Sequence, residues 1–541
     1  MKTFGMFRLI GKAALAVLVI HCWVTPLRAG VAVSIGKNFT GSTDSYAYYP
    51  NPSGAVGQDY FVELNSDYFV VYNKSDGSVV HSLGWDQFWS NAGKPIPSAG
   101  GNGTGYVVYD PAAQRWFVQE GVNTNTAIGA AGSTFYVAVS ETADPTGAWN
   151  AFAIPNSPGD PNRAAPMSSF GLDAQGVYAC NWVKPPTPSY EPIGSGLLSL
   201  PKADLLLIPP VTTNRTWFSY LDGTNRGYTL QPVICLDGSA SGAVLATGGT
   251  GADAATGNPV TNDTLVAFAV LNSGGPGPAT LGPSQVITVP PYTSPTNALQ
   301  PDGTSNLSTG DATFTAHVQC VGGVLFAAQA LQYGPHTAIR WHRVSAAGHM
   351  LLEAGTISDP SLDLYWPSIA ANTNGTVVLA FNGSGSNTNT FVSCYAMVGQ
   401  TVNGVTTFGN RLLLKAGLAS YQDLNSGNND WGRYSTTCVD PTDPNVFWTI
   451  NAYAAGPATW ATQITQILTS PSPQLSIANT GANFLLSWPV TAVPFQLESA
   501  PALSGDGLWA AVTQVPVTNG TTVSVLVPAT NANAFFRLKQ Q

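Results

Sequence analysis

Acidic side chains are scarce in this chain, so each one deserves weighing as a chemical group. The six glutamates are Glu63, Glu120, Glu141, Glu191, Glu353 and Glu498. Two carboxyls about 5–9.5 Å apart, one of them held protonated, can cleave a glycosidic bond. A tyrosine nucleophile with a partner carboxylate and several arginines on an acidic sugar is the alternative arrangement. Asp430-Trp-Gly-Arg-Tyr-Ser435 places Asp430, Trp431, Arg433 and Tyr434 together. Tyr434 with Glu63 and Arg433 is the set that could carry such chemistry. A milder reading pairs Glu63 with Arg433 or Arg340 as a carboxylate–guanidinium site for a polar ligand. The plainest reading is a structural ion pair, since an unpaired buried charge is costly.

Asp423-Leu-Asn-Ser-Gly-Asn-Asn-Asp430 gathers oxygen ligands of the kind calcium prefers, with Asp423, Asn425 and Asp430 as candidates. Tyr434 stands where an EF-hand loop would place its bidentate Glu, and an Asn/Gly-rich turn explains the same residues. The expectation is no cofactor, with calcium as the alternative. Trp85, Phe88 and Trp89 could form a sugar platform or simply fill a buried loop. There is no G-x-S-x-G, Walker or H-E-x-x-H motif, and no His/Cys cluster with zinc spacing.

The elements that must position these residues are strands. Apolar runs of four to eight residues, rich in Val, Tyr, Phe, Trp and Thr, are separated by Gly, Asn, Asp, Ser and Pro. That pattern predicts an all-β protein with two short helical stretches, Trp85–Trp89 and Lys202–Leu207. One unit recurs: a short strand, an Asp, Asn or Gly, a turn, and a second strand. Its turn residues are Asn65, Asp110, Asp173, Asp237, Gly322, Asn372 and Asp440, spaced by about 60 residues, which suits four-stranded propeller blades with long loops. The position two before each reads Glu63, Val108, Gly171, Cys235, Cys320, Ala370 and Cys438. Small residues there fit an innermost strand crowded at an axis, and make the cysteines packing groups. The expectation is a seven-bladed β-propeller over residues 31–470, with six or eight blades as alternatives. A segment of Val31–Tyr49 closes the last sheet. Loops leading into the innermost strands then gather His317, Trp366, Asp430, Trp431, Arg433 and Tyr434 at one channel mouth, with Arg340 and Glu63 nearby.

Composition excludes other classes. The chain holds 20 Lys+Arg, 29 Asp+Glu, 56 Gly and 40 Pro in 541 residues, a net charge of −9. Such an acidic chain lacks the basic footprint of a nucleic-acid binder. Its 14 Trp, 22 Phe and 20 Tyr are too many for a disordered coil. No apolar run past the N-terminus reaches the roughly 18 residues of a membrane span. Residues 1–29 read as a secretory signal, with Lys2, Arg8 and Lys12 before an apolar stretch from Ala13 to Trp23 and cleavage after Ala29 or Ala32. The expected location is therefore outside the cell, in the periplasm or on the cell surface. Five scattered cysteines then remain, an odd number that does not make a disulfide framework.

Ser470-Pro-Ser-Pro473 reads as a linker (471–473), and residues 474–541 as a small immunoglobulin/fibronectin-like β-sandwich with strands at spacings near ten residues. Residues of about 45–470 resemble a group of secreted bacterial β-propeller proteins of unassigned function, distantly akin to sialidase-like propellers. The carriers are Ser140-Glu-Thr-Ala-Asp-Pro-Thr-Gly-Ala-Trp149, Ile339-Arg-Trp341, Tyr365-Trp-Pro-Ser-Ile369, and Asp430-Trp-Gly-Arg-Tyr-Ser435 followed by Asp440-Pro. The family pattern at the last site runs Arg-Trp-Gly-Asp-Tyr-Ser, so Asp430 and Arg433 have exchanged places here. The tail, with Phe484-Leu-Leu-Ser-Trp-Pro489, Phe495-Gln-Leu-Glu498 and Phe535-Phe-Arg-Leu538, resembles a C-terminal module common in exported proteins of Verrucomicrobia-like bacteria. The resemblance implies fold and export, and no activity. The leading expectation is an exported binding or scaffold protein that recognises a glycan or a surface protein at the channel mouth. The alternatives are a sialidase-like or other glycan-processing enzyme and a structural envelope component.

Overall fold

Beta-branched and aromatic runs between Gly, Asn and Asp turns form antiparallel hairpins along the whole chain. The computed structural model describes residues 31–45, 50–97, 105–123, 133–155, 164–183, 193–253, 256, 258–303, 306–424, 429–471, 473–491, 493–501, 509–529 and 534–540. The signal-like segment 1–29 and Asn425 lie outside them. Two compact units separate, Gly36–Gln466 and the described residues of Met1–Ile35 with Ile467–Gln541.

Within the larger unit the described strands form four sheets of four strands, one of five and one of nine, and the last divides at a short parallel pairing into parts of five and four. Sheet I is Ser53–Val56, Tyr60–Leu64, Tyr68–Asn73 and Val79–Gly84. Sheet II runs from Gly105–Asp110 out to Trp149–Pro155, and sheet III from Ala164–Leu172 out to Thr216–Asp222. Sheet IV starts at Tyr228–Ile234, sheet V at Val318–Val321, sheet VI at Asp363–Ala371 and sheet VII at Thr436–Asp440. Each of these first strands packs against the first strands of the two neighbouring sheets, and the ring closes from Thr436–Asp440 back to Ser53–Val56. The outer strand of sheet VII is the N-terminal Val31–Asp44, paired with Thr459–Pro471. Radial antiparallel sheets around a common axis, the last completed by the opposite chain end, make this a β-propeller. Sheets IV and V are also joined edge to edge, with Val233 paired in parallel to Val318 and Ile234 to Gln319.

The structure corrects one strand of the sequence reading. In sheet I the innermost strand is Ser53–Val56, and Phe61–Asn65 belongs to the second strand. The small-residue column therefore begins with Ala55, and it carries no charge in any sheet. Glu63 leaves the axis for a fully buried position between sheet I and the closing strand. It accepts hydrogen bonds from Tyr72 Oη (2.6 Å), Thr462 Oγ1 (2.8 Å), Asn65 Nδ2 (3.0 Å) and the Ser42 amide (3.1 Å). Neither Arg433 nor Arg340 is among these partners. A Cβ at Gly41 would stand 2.6 Å from Glu63 Oε2 and 2.4 Å from Thr462 Oγ1, so only glycine lets the closing strand pass over the carboxylate.

The turn column has a second function that its spacing did not announce. Asp173 Oδ1 accepts from the Gln175 and Gly176 amides of its own turn, while Oδ2 accepts from the Gly242 amide of sheet IV (2.5 Å). Asp237 caps its turn through the Ser239 amide and reaches the Gly322 amide of sheet V (2.7 Å). Asn372 caps its turn and donates to the Pro444 carbonyl of sheet VII (2.7 Å). Asp440 caps its turn and pairs with Lys74 of sheet I (2.9 Å), and Asp110 pairs with the buried Lys202 of sheet III (2.8 Å).

In the smaller unit, Ser476–Asn479, Asn483–Pro489, Thr522–Pro528 and Val517–Asn519 form one sheet, and Ala510–Ala511, Phe495–Ala500 and Phe535–Gln540 another. Leu486, Trp488 and Val525 from the first sheet and Leu497 and Phe536 from the second share one apolar cluster. Glu498 is held by Arg537 (2.7 Å) and Lys539 (3.1 Å). The stretch read as a linker begins inside a strand that runs to Pro471.

Replacing Asp173 by Ala strands the Gly242 and Gly176 amides inside the protein, while the Tyr178 hydroxyl keeps Ser273 Oγ (2.8 Å). We expect a loss of about 3 kcal/mol of unfolding free energy. The same change at Asp144, an exposed rim-turn residue bonded to Thr146, should cost under about 1 kcal/mol. Urea unfolding of both variants measures the difference, and equal losses would deny the turn column its role between sheets.

Candidate functional site

The loops leading into the innermost strands were expected to expose a polar site. They bury it instead. Trp431 is fully buried, donates from Nε1 to Asn382 Oδ1 (3.2 Å) and meets Tyr421 edge-on. Trp366 lies at a bulge in sheet VI with φ of +49° and packs over Gly310, while its carbonyl accepts from Ser435 Oγ (2.9 Å). Tyr434 is buried edge-on against Tyr106, whose ring also touches His317. Burial, with the neighbouring Tyr434 hydroxyl, pushes the Tyr106 phenol well above its ordinary range. Arg340 sits elsewhere, in the third strand of sheet V, bonded to Thr356 Oγ1 (2.7 Å) and the Pro290 carbonyl (3.1 Å).

Asp430 and Arg433 do come together, 3.5 Å apart, and Arg433 keeps 28% of its side chain exposed. The Arg433 amide donates to Asn51 Oδ1 (3.2 Å). Arg433 also faces Asp311, whose carboxyl desolvation raises and Arg433 lowers. Asp423 is buried, and its amide donates to Asn429 Oδ1 (2.7 Å). The aromatic trio Trp85, Phe88 and Trp89 is buried on a short helix, Trp85–Asn91, where it packs with Phe69, Trp149 and Tyr136. It offers no platform to a sugar. The proposed nucleophile, carboxylate and guanidinium are thus three separate features: Tyr434 in the core, Glu63 at the ring closure, and Arg433 at the surface.

The concavity lies at the axis. A cavity of about 250 Å³ is lined by the innermost strands of six sheets, all except sheet III, and by the turns that follow them. Its wall is mainly apolar, from Ala55, Val56, Val107, Val108, Ile234 and Val321. His317 is its most distinctive polar group. Its Nδ1 lies 3.2 Å from the Phe170 carbonyl, which fixes the proton there, and Nε2 has no protein partner. Desolvation lowers its pKa to about 4, so the ring is neutral, and Nε2 is a sealed acceptor without accessible surface. The two carboxylates on the wall are both committed. Asp237 holds its own turn and Gly322, and Asp440 holds Lys74 and Trp448 Nε1 (2.9 Å).

No family model and no curated protein sequence matches the chain. Solved structures that resemble it include the extracellular domains 1-2 of Drosophila semaphorin 1b, at 6% identity over 81% of this chain and 87% of that one, TM-score 0.38. The Hadza microbial sialidase Hz136 aligns at 11% identity over 77% and 66%, TM-score 0.35. The WD40 domain of SCAP from fission yeast aligns at 7% over 75% and 81%, TM-score 0.31. Likenesses this distant carry no argument, and the fold rests on strand order alone.

His317 was among the expected site residues. Tyr109, Gln319, Asn372 and Asp440, which line the same cavity, were not. The signal for them was present, because Asn372 and Asp440 are members of the turn column itself. That column marks the opposite ends of the inner strands from the loops on which the expectation was placed.

The buried histidines set an acid limit. His317 at about 4 and His342, lowered by burial and by Arg340 to about 3, stay neutral in the folded chain but take protons near pH 6.5 when unfolded. Their stabilisation is complete above pH 6.5 and is lost as pH falls through that window. Asp67, raised to about 6 by desolvation and Asp44, works in the opposite sense between pH 6 and 3.8. Comparison with His317→Gln isolates one histidine. The stability advantage of the wild type over the variant should shrink by about 1.4 kcal/mol per pH unit from 6.5 to 4. A gap that stays constant in urea melts across that range would show His317 to be protonated in the folded state.

Proposed function

We propose that the chain is an exported binding or scaffold protein that receives an apolar group of an extracellular protein partner in its axial cavity. The observation that carries this reading is the cavity wall, mainly apolar around about 250 Å³. Such a site suits an apolar side chain, because burial there removes apolar surface from water on both partners. A sugar would need many paired polar groups and an exposed aromatic face, and the Asp237 and Asp440 carboxylates on the wall are already engaged by the protein. The same engagement weakens the glycan-processing alternative. The expected secretory signal and the β-rich C-terminal unit of residues 474–541 fit an exported, surface-displayed role.

Thr373 is exposed on the turn at the cavity rim, so Thr373→Trp can plug the opening without entering the core. Titration with the apolar fluorophore 8-anilinonaphthalene-1-sulfonate should show saturable binding that Thr373→Trp weakens by about tenfold or more. Equal binding by the two proteins would reject the cavity as a site. A glycan array should remain blank, and a saturable glycan signal that Thr373→Trp abolishes would replace the protein partner with a sugar.

A further inference from the structure

We propose that Cys235 and Cys320 are a redox pair that closes to a disulfide, joining the inner strands of sheets IV and V. The parallel register of Val233 with Val318 and Ile234 with Gln319 sets Cys235 opposite Cys320 at the next step. Residues opposite one another in adjacent strands are separated by about 4.8 Å and project to the same side, which lies within the Cα spacing that a disulfide spans. Both side chains pack in one apolar cluster. The Ser239 hydroxyl lies 3.7 Å from Cys235 Sγ and 3.5 Å from Cys320 Sγ, so a single oxygen bridges the two sulfurs. Cys394 and Cys438 instead direct their thiols to the carbonyls of Ala452 and Trp448.

The two thiols are chemically unequal. The hydrogen bond from Cys320 brings the Cys235 thiol down to about 7 against the opposing effect of burial, while that bond and burial push Cys320 up. Cys235 is thereby the nucleophile and Cys320 the resolving thiol. Leu236, Asp237, Gly238 and Ser239 are exposed, so the sulfurs lie directly beneath a surface turn, and Cys320 also forms part of the cavity wall. The oxidant is a small or protein disulfide, as an oxidising compartment supplies. With oxidised glutathione, the Cys235 thiolate attacks one sulfur and releases one glutathione thiolate, leaving a mixed disulfide. Cys320 then loses its proton and attacks Cys235 Sγ, and the second glutathione leaves. Two electrons and both thiol protons end on two molecules of glutathione.

Folded full-length protein, reduced and then incubated with oxidised glutathione, is unfolded in excess N-ethylmaleimide and weighed intact. The wild type should take up two fewer maleimides than a control kept reduced, and digestion without reductant should yield a peptide linking Cys235 to Cys320. Cys320→Ser should retain one glutathione on Cys235. Equal maleimide uptake in both wild-type samples would overturn the proposal. So would a linked peptide that joins other cysteines, or glutathione remaining on wild-type Cys235. The wild-type count needs no variant, so a poorly folding Cys320→Ser would not leave the question open.

Discussion

In five of the seven sheets a single polar side chain, placed where the innermost strand ends, ties this propeller together. Asp173, Asp237 and Asn372 each use one side-chain oxygen to cap the local turn and the other polar atom to bond a neighbouring sheet. Asp110 does the same through Lys202, whereas Asp440 takes its turn amide and Lys74 on one oxygen and accepts from Trp448 Nε1 on the other. Radial sheets meet mainly through apolar faces, and such packing is non-directional. The Asx residues add direction, since a turn that is correctly formed presents its second atom at one place only. Sheets I and V break the pattern with Gly57 and Gly322, which have no side chain to offer, and Gly322 instead gives its amide to Asp237. The low charge of the chain follows from this economy. Most of the few carboxylates in the propeller's interior join one part of the backbone to another.

Glu63 extends the same logic to ring closure. The last sheet is built from both ends of the larger unit, and the loop entropy of bringing them together must be offset by contacts that only the closed ring makes. Four donors converge on this carboxylate: two from sheet I, one from Thr459–Pro471 and one from the N-terminal strand. A buried carboxylate without a cation is tolerable when all its lone pairs are met. Burial and the charge of Glu63 in turn push the Tyr72 phenol far above its ordinary range, so Tyr72 remains a donor.

Much of the architecture was legible because propeller repeats write themselves twice, once in strand composition and once in the turn residue. Six of the seven innermost strands end on the expected turn residue or within three residues before it, from Asp110 to Asp440. Sheet I was misread for a physical reason. Its inner strand, Ser53–Val56, is four small residues ending at Gly57, with little of the aromatic and branched content that marks a strand. The next hairpin, Phe61–Asn65 and Tyr68–Tyr72, imitates the repeat closely. The error moved Glu63 onto the axis and gave the candidate site a carboxylate that it does not have. The site residues themselves were less legible. Tryptophan and tyrosine beside Asp and Arg look like a binding surface in sequence, yet Trp366, Trp431 and Tyr434 are large apolar bodies that the loops must bury to seal one end of the channel.

That seal determines what the other end can be. With Tyr106, Tyr434, His317 and Trp366 filling the space beneath the leading loops, the remaining room along the axis lies toward the turn column, where the side chains of the inner strands are smallest. Ala55, Cys320 and Cys438 are the small side chains of the wall, and they leave this space open. An axial void lined by small groups forgoes packing that the fold could have had. His317 compounds that cost by leaving Nε2 without a partner. A ligand that fills the void restores the packing that the inner strands forgo.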